Sequence, residues 1–407
     1  MAVSAQTAVA AHRRIGRVRE IEGMRAVAAG LVLVFHLSTS LNLTHPALIS
    51  ADVMYWIGRF GPLGVAVFFV LSGYLLYQPF VASALADEPP PNLGRYYLRR
   101  FARIFPAYWV ALAVWLFVIG PDQIHGLGDV AEYFGLAQNY HAGSLLRGLG
   151  VAWTLVIEVS FYVVLPAIAF ALRGRRPAPT RKARLRRQMI GLAVLYAGGL
   201  AARLWTNNSH DVFTFQHHLW RPQLYIDFWL PGFLDWFALG MLLAVLASMV
   251  RSGDVIPRWI SALARHTGWS WGIAIALYWL LHQANFPTHI GQRYTLFQAM
   301  TRNTMMPLVA VFLVLPIALA AGRGGVVRSI LASEVLVMVG TVSYGIYLWH
   351  LIVMYQVTHW IFMKDIPRSA AVQTVLVVSL TAVAATLSYY VVERPFVRWS
   401  AKFGRSR

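Results

Sequence analysis

Residues 60–80 read FGPLGVAVFFVLSGYLLYQPF, an unbroken run without a charged side chain. At 1.5 Å of rise per residue such a run makes a helix about 31 Å long, enough to cross the ~30 Å hydrocarbon core of a bilayer. Its glycines and prolines do not argue against a membrane helix, because neighbouring helices re-satisfy the backbone groups they free. Working outward, nine comparable segments lie near 24–44, 101–120, 151–172, 189–206, 225–250, 266–284, 299–321, 333–360 and 369–392. The composition agrees: 58% of the 407 residues are hydrophobic and 13% charged, with a mean hydropathy of +0.56. Soluble domains sit nearer 45–50% apolar and about 25% charged. The chain is therefore expected to be all-α, a polytopic membrane bundle of about ten transmembrane helices. The first segment has an Arg-rich flank but no small-residue cleavage site, so it is expected to be retained and not removed as a signal peptide.

The formal charge of +19 comes from 35 Lys+Arg against 16 Asp+Glu. In a soluble protein that excess would suggest nucleic acid. Here the cations sort by loop. The N-terminus, 81–103, 173–187, 251–265, 322–332 and the segment from 393 hold 26 of them, and the alternate loops hold 6. By the positive-inside rule this asymmetry predicts cytoplasmic termini and an even number of spans. It also dispenses with a nucleic-acid partner: the run from Arg173 to Arg187 is expected to face anionic lipid headgroups of the cytoplasmic (inner or plasma) membrane. The expected organisation is a cytoplasmic segment 1–23, a transmembrane domain 24–396 and a cytoplasmic tail 397–407. Cysteine is absent, which removes disulfides, thiolate metal sites and an acyl-cysteine intermediate.

Ionisable groups within membrane segments cost about 3 kcal/mol each on insertion scales and mark candidate functional positions. Arg25 and His36 are eleven apart on the first helix, hence on one face and about 16–17 Å apart along the axis. At the entrance to the third helix stands Arg99-Arg100-Phe101-Ala102-Arg103, whose guanidinium forks suit bidentate contact with phosphate oxygens. Glu158, in Trp153-Thr154-Leu155-Val156-Ile157-Glu158, needs a cation or a proton, and His36 or an arginine is its expected partner. Ser72, Tyr344 and Trp153 are candidate donors to a developing oxyanion. Glu393 with Arg394 is expected to be a helix-end ion pair, and His350 a packing residue. On the opposite side Gln138-Asn139-Tyr140 and the 207–224 loop, with Asn207, Asn208, His217, His218 and Trp220, combine amides and aromatics suited to a sugar. Asp227 and Asp235 either line an acceptor cavity or pair with Arg203 or Arg302.

Taken in chain order, these blocks resemble the acyltransferase-3 family of integral membrane O-acyltransferases. The likeness is carried by Arg25 and His36 at Arg-x10-His spacing, Phe68-Phe69-Val70-Leu71-Ser72-Gly73-Tyr74, Arg99-Arg100-Phe101-Ala102-Arg103-Ile104-Phe105-Pro106 and Trp153 to Tyr162. Ser343-Tyr344-Gly345-Ile346-Tyr347-Leu348-Trp349-His350 and Glu393-Arg394-Pro395 complete it, so it covers nearly the whole chain. One departure is Ala66, where many members have Asp. The resemblance implies transfer of an acyl group, usually acetyl, from cytoplasmic acyl-CoA to a hydroxyl of an extracytoplasmic glycoconjugate. No metal is implied.

In that scheme Arg25, Arg99, Arg100 and Arg103 hold the coenzyme phosphates, with Ser72 and Tyr344 further along the donor path. The imidazole of His36, with an ordinary pKa near 6.5, takes the proton of the attacking hydroxyl. Glu158 orients that ring or stabilises the imidazolium, and Trp153, Asn139 and Tyr140 contact the acceptor. Some members carry a further esterase-like domain. Here the chain stops twelve residues after Pro395, so the transmembrane unit is expected to complete the transfer or to hand over to a separate acyl-accepting or glycolipid-export protein. Arginine outnumbers lysine 32 to 3, a bias of GC-rich coding that suggests a mycolate glycolipid such as trehalose monomycolate as acceptor. The competing class is a lipid or acyl-carrier transporter or flippase without chemistry. Its usual signs, inverted repeats and paired broken helices, are not evident in the sequence.

Overall fold

The computed structural model describes residues 2–45, 48–58, 60–119, 124, 126–141, 144–175, 178–208, 228–283, 295–319, 325–363 and 368–403. Every regular element among them is helical. The helices are α1 (Ala2–Thr44), α2 (Ala51–Ile57), α3 (Phe60–Ala86), α4 (Leu93–Val114), α5 (Leu127–Phe134), α6 (Ala152–Arg173), α7 (Arg181–Asn208) and α8 (Leu234–Arg251). They continue as α9 (Arg258–Arg265), α10 (Thr267–Gln283), α11 (Leu296–Leu319), α12 (Val326–Leu331), α13 (Glu334–Thr341), α14 (Ser343–Phe362), α15 (Ala370–Ser388) and α16 (Arg394–Lys402). Among the described residues, eight helices are long and apolar enough to cross a membrane, or nine if α13 and α14 count as one broken span. The segment expected at 266–284 is the helix α10, whose 17 described residues stand at the lower end of the spanning range. The protein is an all-α polytopic membrane bundle.

Two elements depart from the sequence reading. The segment expected as a single helix over 333–360 is broken at Val342, and its halves meet at 67°. Ser333 caps α13 by accepting from the Leu336 amide. A Cβ on Gly340 would lie 1.9 Å from the Glu22 carbonyl oxygen, so α13 rests backbone to backbone on α1. The turn that follows, Thr341-Val342, is β-branched and weak in helix propensity. The last helix does not stop near 392 but continues to Lys402, through a π-turn at Tyr389–Glu393 that leaves Glu393 buried. A π-turn adds a residue to one turn and so changes which face the following side chains present.

The centre of the bundle is α3 packed on α1 and α8. Glycines make the α3–α8 contact possible: a Cβ on Gly73 would lie 2.4 Å from the Phe237 oxygen, and one on Gly240 would lie 2.2 Å from the Val70 oxygen. Close backbone approach through small residues is the usual route to helix association in lipid. Between α7 and α8, Arg203 binds both carboxylate oxygens of buried Asp235 at 2.7 and 3.0 Å, one of the two pairings the sequence offered. Near the arginine-rich end, Arg328 forks onto Glu20 at 2.9 and 3.0 Å and Arg181 onto Asp254 at 2.7 Å, tying distant segments together.

Candidate active site

Five helices surround a cavity of about 140 Å³. Arg25 enters from α1, Ser72 from α3, Arg100 and Arg103 from α4, Thr154, Glu158 and Tyr162 from α6, and Tyr344 and Tyr347 from α14. Apolar side chains of α3 and α6, among them Phe68, Phe69 and Leu155, supply the rest of the wall. The lining thus carries three guanidinium groups against one carboxylate, a set fitted to a polyanion with a slim apolar extension.

The three cations are held by carboxylates, tyrosine rings or both. Arg25 reaches Glu22, one turn earlier, at 3.2 Å. Arg103 lies 3.5 Å from Glu393 and 6.0 Å from the centre of the Tyr344 ring. Arg100 stands 6.0 Å from the centre of the Tyr162 ring and makes no ion pair among the described residues. Arg99 is exposed and does not line the cavity. The pairing expected between Glu393 and Arg394 is not formed: the π-turn buries Glu393 toward Arg103, while Arg394 sits 5.4 Å from the Tyr390 ring centre.

Glu158 does not meet His36. It accepts a hydrogen bond from Ser72 Oγ at 2.6 Å and another from the Tyr162 hydroxyl. Two helical facts bring this about: Glu158 and Tyr162 are four apart on α6, so they share a face, and that face meets α3 at Ser72. The candidate oxyanion donors are also committed. Ser72 gives its hydrogen to Glu158, Tyr344 donates to the Ile104 oxygen at 2.9 Å, and Trp153 packs on Phe228 and Phe233 away from the lining.

His36 is partly buried on α1 and is not part of the cavity lining. Its connection to the cavity runs through α14. Tyr347 lines the cavity, bonds Thr154 Oγ at 2.5 Å, and lays its ring 5.9 Å from that of His350. His350 in turn stands with its Nε2 3.2 Å from His36 Nδ1. His350, expected as a packing residue, is thus the direct polar partner of His36.

Across the bundle, Asn139 is buried and donates from one amide nitrogen to the Trp153 and Phe228 oxygens, at 2.8 and 2.9 Å. The Trp229 indole N–H donates back to the main-chain carbonyl oxygen of Asn139 at 2.7 Å. Asn139 therefore clamps the start of α6 to the segment before α8, while Tyr140 remains exposed and bonds Ser160 Oγ at 2.5 Å. His217, His218, Trp220 and Asp227, and the side chains of Asn207 and Asn208, lie outside the described residues.

Sequence reading missed Glu22, Thr154, Tyr162, Tyr347 and His350 as partners. For three of them a signal was present: Glu22 precedes Arg25 by three, Tyr162 follows Glu158 by four, and Tyr347 precedes His350 by three, the spacings at which helical side chains touch.

The chain is similar to known proteins along most of its length. Peptidoglycan O-acetyltransferase OatA of Listeria monocytogenes is 25% identical over 400 residues, covering 93% of this chain and 55% of its own length. A putative peptidoglycan O-acetyltransferase of Bacillus subtilis, YrhL, is 24% identical over 404 residues, covering 92% and 54%. A putative O-acetyltransferase of Staphylococcus aureus is 24% identical over 401 residues, covering 95% and 58%. The chain spans about half the length of the curated relatives it matches. No solved structure matches it. A family model for an acyltransferase domain matches residues 18–393, and with so much of the bundle inside that match the chain belongs to the acyltransferase-3 family.

Proposed function

We propose that this protein moves an acetyl group from cytoplasmic acyl-CoA to a hydroxyl of a cell-envelope glycoconjugate, with His36 as general base. The observation that carries this reading is the cavity itself. Arg25, Arg100 and Arg103 converge on it, and His36 stands three helical turns beyond Arg25 on the same helix, about 16–17 Å along the axis. Guanidinium groups suit the phosphates of the donor, and the long pantetheine arm suits the run along the apolar wall toward the imidazole. The cavity wall at Tyr347 and the His350–His36 contact give that direction a polar end.

The chemistry balances without a further reactant. The acceptor oxygen attacks the thioester carbonyl carbon while its proton passes to His36. The carbon–sulfur bond then breaks, and the imidazolium returns the proton to the departing thiolate. The products are an O-acetyl ester and coenzyme A. Glu158 holds the Ser72 and Tyr162 hydroxyls and offsets part of the arginine charge, a positioning task different from orienting His36. Trp153 and Asn139 shape the opposite end, and Tyr140 is the exposed candidate there for contact with a sugar.

The acceptor class follows from two relatives named for peptidoglycan; peptidoglycan is the first candidate, and trehalose monomycolate is the one suggested by composition. The membrane is the cytoplasmic one, with the arginine-rich end inside, and a separate acyl-accepting or export protein is the natural partner if transfer is completed elsewhere.

His36→Ala is expected to abolish acetyl transfer while the protein still inserts, and retained turnover would refute the base assignment. Arg100→Gln with Arg103→Gln should weaken acetyl-CoA binding in an equilibrium assay, whereas Arg99→Gln should change it least. Mass spectrometry of peptidoglycan fragments and envelope glycolipids from parent and knockout cells identifies the acceptor by which fraction loses an acetyl group. Loss from neither would turn the proposal toward transport without chemistry.

A further inference from the structure

The two histidines on α1 and α14 fix each other's hydrogens. His350 is fully buried, and its Nδ1 lies 3.0 Å from the Ile346 carbonyl oxygen. A carbonyl only accepts, so this nitrogen carries the hydrogen. No carboxylate touches the ring among the described residues, and an unpaired charge there would be costly to bury. The ring is therefore neutral and its Nε2 is a lone pair. That lone pair lies 3.2 Å from His36 Nδ1, which is also 3.0 Å from the Val32 carbonyl oxygen. Two acceptors converge on one nitrogen, so His36 Nδ1 carries a hydrogen. In the neutral ring, the form in which an imidazole can act as a base, the other nitrogen, Nε2, is then bare.

We infer that His350 is a positioning residue for the transfer, fixing the His36 tautomer so that Nε2 receives the acceptor's proton; this rests on His36 being the general base. The inference gives His350 the task that a carboxylate performs in hydrolase triads, with one chemical difference. When His36 becomes an imidazolium, its Nδ1–H still points at a neutral nitrogen and gains a charge-assisted hydrogen bond. A neutral partner stabilises the imidazolium less than a carboxylate would, so the proton taken up at Nε2 is more readily given back. That suits a base which must return the proton to a thiolate within the same turnover. Tyr347, whose ring packs 5.9 Å from His350 while its hydroxyl binds Thr154 and the Val151 oxygen, joins this pair to the cavity wall.

Leucine and glutamine at position 350 separate positioning from packing. Glutamine offers an N–H to the Ile346 oxygen and an oxygen to His36 Nδ1–H; leucine offers neither. In native membranes supplied with acetyl-CoA, His350→Leu should lower kcat by about 100-fold, the low end of what a correctly placed base contributes. The KM for acetyl-CoA should stay within about twofold, and His350→Gln should recover at least a tenth of the wild-type kcat. Independently of activity, nitrogen NMR of histidine-labelled protein in bilayers should show His36 with Nδ1 protonated and Nε2 bare, the signals assigned by their loss in His36→Gln. Near wild-type kcat in His350→Leu, a glutamine variant no better than leucine, or a protonated Nε2 on His36 would each overturn the inference. Turnover surviving in His36→Ala would instead overturn the base assignment, whatever the spectrum shows. Should His350→Leu fail to fold, the spectrum of the wild-type protein still decides.

Discussion

Glu393 and Arg103 face each other at 3.5 Å, and neither oxygen of the carboxylate receives a hydrogen bond among the described residues. The pair is therefore a charge contact without hydrogen-bond reinforcement, on the wall that is proposed to take the donor's phosphates. Glu393 competes with any anion entering the cavity for the attraction of Arg103. Glu393→Gln keeps the volume and removes the competitor, so acetyl-CoA should bind several-fold more tightly, with a steeper loss of affinity as salt is added. Equal affinity in the variant and the parent, measured by equilibrium binding, would show that Arg103 does not reach the donor. The partner of Glu393 was illegible in the sequence for a clear reason. Arg394 is adjacent in the chain, whereas Arg103 is brought close only by the π-turn and the packing of α16 on α4. Glu158 makes the same point: a buried carboxylate calls for a partner, but choosing Ser72 over His36 requires knowing how α3 and α6 are rotated.

Helix positions and types were nearly all readable from apolar runs, because a bilayer demands about twenty apolar residues and closes every backbone hydrogen bond within the helix. How the helices approach one another was not, since lipid-facing and helix-facing surfaces are both apolar. The break at Val342 escaped for that reason: both halves of the segment are apolar, and only the contact of Gly340 with Glu22 shows why it bends. The glycines now separate into two kinds. At Gly73 and Gly240 a Cβ would collide with backbone oxygens of the facing helix, at 2.4 and 2.2 Å; at Gly30 nothing lies within 4 Å. Gly240→Ala should force α3 and α8 apart and sharply reduce recovery of folded protein from detergent. Gly30→Ala should be neutral or stabilising, by up to about 1 kcal/mol from helix propensity. Thermal unfolding followed by size-exclusion chromatography compares them, and a Gly240→Ala variant as stable as Gly30→Ala would mean that the close crossing is not needed.

At the scale of the whole molecule, the reading of donor inside and acceptor outside depends on which end of the bundle faces the cytoplasm. The cavity cations Arg25, Arg100 and Arg103 lie toward the end where 26 of the 35 Lys+Arg collect in loops and termini. The positive-inside rule and the proposed use of cytoplasmic acyl-CoA thus ask for the same orientation, though they rest on different physics: one on charge during insertion, the other on where the thioester is made. The chain contains no cysteine, so a single introduced thiol reports its side without background. Ser252 follows α8 in a loop of the basic set and is exposed, while Leu127, at the start of α5 on the opposite set, is 89% exposed. With a membrane-impermeant maleimide on intact cells, Leu127→Cys should label and Ser252→Cys should not. After the cytoplasmic membrane is opened, both should label. The reverse pattern would put the arginine-lined cavity on the outer side, out of reach of coenzyme A, and leave the cluster without a donor to hold.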